Sequence, residues 1–127
     1  MEMLLSWTVV GHRGGNKKNP SWQDVEMQLL RIAHDGGSVT VDLIGAGIGP
    51  QSLQVQSENG YFVLMLGEET ENDHFVRTIT RSSAEPTKIE ILGNCWDSRI
   101  VCESWELVAQ TFEKFTATGD VSRELLS

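Results

Sequence analysis

Residues 52–67 read SLQVQSENGYFVLMLG, and this stretch decides the fold. Asn59-Gly60 is a dipeptide of type I′ hairpin turns, in which both central residues need positive φ. Apolar residues alternate on either side of it, the period of a strand with one buried face. A two-residue turn pairs Glu58 with Tyr61, Ser57 with Phe62, Val55 with Leu64 and Leu53 with Leu66. Leu53, Val55, Phe62, Leu64 and Leu66 then share one face, which is predicted to be core. The other face carries Gln54, Gln56, Tyr61, Val63 and Met65. It is only half polar, so part of it is expected to be covered.

Toward the N-terminus, GAGIGP at 45–50 reads as a loop and VTVDLI at 39–44 as a strand. Before that, Trp22, Val25, Leu29, Ile32 and Ala33 recur at helical spacing. Ser21 is a capping residue with Asp24 placed to reach back to it, and Gly36-Gly37 stop the helix. GHRGGNKKNP at 11–20 is read as irregular, and residues 4–10 (LLSWTVV) as the first strand. Toward the C-terminus, EETEND at 68–73 is an acidic turn. HFVRTITR at 74–81 reads as a strand whose mixed face, with Phe75 and Ile79 beside Arg77 and Arg81, suits an edge or a partly covered face. SSAEPT is a loop, KIEIL at 88–92 and RIVC at 99–102 are strands, and GNCWDS between them is a loop. Ser104 caps a second helix with Trp105, Val108, Phe112 and Phe115 on its apolar face, ended by Gly119. VSRELL at 121–126 adds a final turn.

The predicted order is β-α-β-β-β-β-β-β-α. Sequential strands with short turns and two helices specify an α+β fold. The expectation is a single domain over residues 1–127, with a mostly antiparallel sheet of five to seven strands. A chain of 127 residues with 39% hydrophobic and 22% charged residues builds its core without metals or disulfides. Two cysteines, Cys95 and Cys102, in a C-x6-C spacing match no disulfide framework, zinc site or redox motif. MEMLLSWTVV has no basic start and no cleavage signature, and no apolar run reaches about 18 residues. A cytoplasmic protein is expected.

Chemistry-bearing patterns are sparse. His12, His34 and His74 are scattered, so no metal is expected. GAGIGP lacks both the third glycine of a dinucleotide loop and a following helix to receive a phosphate, so no cofactor is expected. His12, Arg13, Lys17 and Lys18 form one basic cluster in a loop, read as solvated. A small enzyme would have to work through Cys95 or His74, with a base brought to the thiol by folding. A ligand-binding module that self-associates through the half-apolar sheet face is a further alternative.

Net charge is −8 with a pI near 4.7, which disfavours nucleic acid and favours a basic partner. The acids are uneven: residues 51–113 hold 11 acids and 4 bases, a net of −7. Glu68, Glu69, Glu71 and Asp73 cluster at one turn, where they would steer a basic protein. Trp96, beside Asp97 in GNCWDS, suits an interface anchor as well as it suits packing onto the sheet.

GHRGGNKKNPSW, SLQVQSENGYFVLMLGE, KIEILGNCWDSRIV and TGDVSRELL together resemble small acidic immunity proteins of bacterial polymorphic-toxin and contact-dependent growth inhibition systems. That resemblance implies a cytosolic, non-enzymatic inhibitor. It would bind the C-terminal domain of a cognate toxin, often a basic nuclease, with no nucleic acid, membrane or cofactor involved. The contact residues expected for such a role are Glu68, Glu69, Glu71, Asp73, Trp96 and Asp97.

Overall fold

A computed structural model describes residues 1–80 and 85–127. Arg81, placed above at the end of a strand, and residues 82–84 of the following loop lie outside the described residues. The elements run β1 (Glu2–Val9), β2 (Gly15–Lys18), α1 (Trp22–Asp35), β3 (Gly37–Ile44), β4 (Gly49–Glu58) and β5 (Tyr61–Glu69). They continue with β6 (His74–Arg77), β7 (Lys88–Ile91), β8 (Asn94–Asp97), a 3-10 turn (Ser98–Ile100), β9 (Val101–Cys102) and α2 (Trp105–Thr118). The main sheet has the order β2-β1-β3-β4-β5-β6, with β9 also pairing to β5. Every pairing in it is antiparallel. The fold is α+β, with two helices and seven strands in this sheet.

The central hairpin has the expected register: Glu58 faces Tyr61, Ser57 Phe62, Val55 Leu64 and Leu53 Leu66. Asn59 takes φ 54° and Gly60 φ 80°, as a type I′ turn requires. Leu53, Val55, Leu64 and Leu66 are fully buried with Leu5, Val39 and Val41 from β1 and β3. Onto this face pack Val25, Leu29 and Ile32 of α1 and Val108, Phe112 and Phe115 of α2. Each such side chain contributes about 1.5–3 kcal/mol of transfer free energy. Ser21 and Asp24 form the full capping box, and Gly119 closes α2 in the left-handed region at φ 78°. Gly37 follows α1 at φ 142°, and a Cβ there would strike the Thr8 carbonyl. The helix-to-strand turn therefore requires glycine.

Two short strands lie where irregular chain was expected. β2 forms from GNKK because Asn19 exchanges bonds with Met3: Met3 N–H donates to Asn19 Oδ1 at 3.0 Å, and Asn19 N–H donates to the Met3 carbonyl at 2.7 Å. Its lysines keep that sheet edge charged. β8 pairs with β7 in a separate hairpin, Ile89 opposite Trp96 and Ile91 opposite Asn94. In the stretch read as strand 99–102, Ser98–Ile100 is a 3-10 turn and Val101–Cys102 is the strand. The β7–β8 hairpin supplies the cover expected over the outer face. Val63, Ile91 and Val101 form a second core, with Tyr61, Met65, Ile89, Leu92, Trp96 and Ile100 packed against it.

Candidate functional site

The carboxylates sort into those the chain neutralises itself and those it leaves open. Glu68, expected as a tip charge, belongs to the first kind. It lies on β5 opposite Phe75 of β6, is buried, and points to the side of the sheet that carries the helices. Its Oε1 sits 3.3 Å from Arg77 Nη1 and its Oε2 2.8 Å from Arg123 Nη2. Arg77 is buried too, on a face of the edge strand that the C-terminal residues cover. Its guanidinium reaches Asp120 Oδ1 at 3.1 Å, the Val121 carbonyl at 2.6 Å and the Leu126 carbonyl at 3.0 Å. Beside it, Thr78 and Ser127 exchange backbone bonds. One buried fork thus ties residues 120–127 to the edge of the sheet, and the charge of Glu68 is spent internally.

Asp97 is likewise compensated. It caps the 3-10 turn through the Arg99 amide and binds the Arg99 guanidinium with both oxygens, Oδ1 at 3.0 Å from Nε and Oδ2 at 2.6 Å from Nη2. The Arg99 side-chain bonds, with the Arg99 amide, hold its carboxyl down to about 2. Trp96, set beside it by β8, is half-buried in the second core, with its indole nitrogen buried and without a partner. The structure places Trp96 as packing between hairpin and sheet.

Glu69, Glu71 and Asp73 remain at the β5–β6 turn, all exposed. The turn is fixed by Thr70 N–H donating to the Asp73 carbonyl at 2.9 Å and by His74 N–H donating to Asp73 Oδ1 at 3.0 Å. His74 Nδ1 lies 3.7 Å from Glu69 Oε1. Next to the turn, Phe75 and Val76 are exposed. The expected contact set is therefore divided. Three of its members form an open acidic tip, and the other three serve the fold.

A second acidic surface was not singled out from the sequence. Trp22 and Trp105 begin the two helices, and the helices pack side by side. Between them lies a groove of about 220 Å³ lined by both indoles, Ala109, Gln110, Glu26, Glu106 and Glu113. Glu106, Gln110 and Glu113 follow at spacings of 4 and 3, one exposed stripe of α2. That spacing was the signal available; the aromatic residues drew attention to the buried face instead. Met27 and Leu30 stand exposed on α1. A larger groove of about 580 Å³ lies past Glu113, toward residues 118–125, but it mixes Lys114 and Arg123 with Glu113 and Asp120. It offers no preference of sign.

Cys95 is exposed on β8 of the small hairpin, Cys102 is buried on β9, and His74 is on the edge strand of the main sheet. Among the described residues no group of His, Cys, Asp and Glu is set to hold a metal ion. No helix is long and apolar enough to cross a membrane, among the described residues.

A crystal structure of a hypothetical protein from Neisseria gonorrhoeae has the same fold, with a TM-score of 0.78 and 16% identity over 91% of this chain and 87% of that one. No curated protein matches the sequence. A family model described as a family of unknown function, DUF6911, matches residues 6–125, and the chain belongs to that family.

Proposed function

We propose that this member of DUF6911 is a binding protein that neutralises a basic protein, in the manner of an immunity protein holding a cognate toxin domain, without turning over a substrate. One observation carries the reading: several acids stand exposed in clusters, at the β5–β6 turn and along α2, while four of the bases are held by carboxylates of the chain itself. Arg77, Arg99, Arg123 and Lys17 each sit within 4.0 Å of a carboxylate. Glu71, Asp73, Glu103, Glu106 and Glu113 are exposed and, among the described residues, in no ion pair. Such a surface steers a cationic protein toward it and repels phosphate backbones. A toxin that acts on nucleic acid presents positive charge to its substrate, and an acidic inhibitor competes for that surface. The place of action on this reading is the cytoplasm, and the tip formed by Glu69, Glu71 and Asp73 is the first contact.

Co-expression with the basic toxin domain encoded by the neighbouring gene tests this. The expected result is co-purification of the two chains and growth of cells that the toxin alone arrests. A toxin domain that neither co-purifies nor is neutralised, or an absent toxin gene, contradicts it.

A further inference from the structure

We infer that the groove between the two helices is an arginine-anchoring site for that basic partner, a proposal that rests on the reading above and gives it a specific contact. Three observations converge. Two tryptophans, Trp22 and Trp105, line the groove. Indole faces attract guanidinium more strongly than other aromatic faces do. The rim carries Glu26, Glu106 and Glu113, and the lining holds no base. At about 220 Å³ the space falls below the roughly 300–1,000 Å³ of drug-sized ligand pockets. It suits one long side chain.

Charge decides the sign of the occupant. Both helices begin here, and each N-terminus adds roughly half a positive charge. Ser21 and Ser104 satisfy amides of those first turns. Three full carboxylates outweigh two half charges, so a cation is favoured. A guanidinium fits better than an ammonium because it stacks on indole with its plane and donates to carboxylate with its fork.

The test uses the full chain and a minimal probe, N-acetyl-arginine methylamide, against its neutral isostere N-acetyl-citrulline methylamide at equal ionic strength. The readout is the set of indole N–H resonances from the four tryptophans, assigned with Trp22→Phe and Trp105→Phe. Saturable shifts at Trp22 and Trp105 with the arginine probe, larger than those at Trp7 and Trp96, are expected. The citrulline probe should give none, and the double variant Glu106→Gln/Glu113→Gln should bind at least about tenfold more weakly, or about 1.4 kcal/mol. Shifts that fail to saturate, equal shifts with citrulline, or undiminished binding by the double variant overturn the site. The probe needs no toxin, so a silent groove with intact co-purification would fault this site alone. A responsive groove without co-purification would fault the immunity reading.

Discussion

Two clusters of acid in this molecule have opposite fates. Around Glu68, the chain supplies its own cations: Arg77 from the edge strand and Arg123 from the tail close on one buried carboxylate. Around Trp22 and Trp105, three glutamates stand over aromatic surface and no base lines the groove. The first arrangement holds the C-terminal segment against the sheet. The second leaves charge for a molecule from outside. A count of acids along the sequence cannot separate the two, because the difference lies in where the arginines fold.

The largest effect should come from breaking the compensated cluster. Arg77→Met leaves Glu68 buried with only the exposed Arg123 beside it and deprives the Val121 and Leu126 carbonyls of their donor. A loss of about 3–5 kcal/mol is expected in chemical denaturation. A change under about 1 kcal/mol would mean that the fork is no more than a surface pair. In the open cluster the outcome should reverse. Glu106→Gln/Glu113→Gln should leave stability within about 0.5 kcal/mol of the parent and weaken the association with a basic partner. A marked fall in stability would show that these carboxylates serve the fold after all.

Two carboxylates outside both clusters sharpen the contrast. Asp42, on the sheet face opposite the helices, is raised above its usual 3.8 by burial. A raised acid weakens the fold once pH climbs past 3.8, so Asp42→Asn should lift the melting temperature slightly at neutral pH. The gain should vanish well below 3.8, where the parent is protonated as well; a gain independent of pH would point elsewhere. Asp97 has the opposite sign. Its carboxyl is held down to about 2 by Arg99, so its contribution is complete above 3.8 and fades as pH falls toward 2. Carboxyl titration by NMR should find that low midpoint, and a value near 3.8 would show that the Arg99 fork is open in solution.

Much of the architecture was legible because local signals agreed with tertiary needs. Asn59-Gly60 sets a turn whose register also buries Leu53, Val55, Phe62, Leu64 and Leu66. The Ser21–Asp24 box and Gly119 do the same for the helix ends. The β7–β8 hairpin was missed because its turn is Leu92-Gly93, with Leu92 at φ 52°. A leucine rarely takes that conformation. Here it is held by packing on the second core and by its N–H donating to Glu58 Oε1 at 3.0 Å, neither of which local propensity registers. β2 was missed for a related reason: polar GNKK is a strand only because β1 offers it an edge. Among the site residues, Glu69, Glu71 and Asp73 were visible as a charged turn. Glu68 was read with that turn, but β5 runs on through it and sets it on the buried side with Leu66, and its cations come from 9 and 55 residues away.

The measurement closest to the central claim is the salt dependence of association between this chain and the neighbouring toxin domain, for the parent and for Glu69→Lys/Glu71→Lys/Asp73→Lys. The expected result is slower association by the triple variant and a flatter dependence of affinity on salt, because the steering charge has been reversed. Identical association rates and identical salt slopes would contradict an account in which uncompensated acid draws in a basic partner.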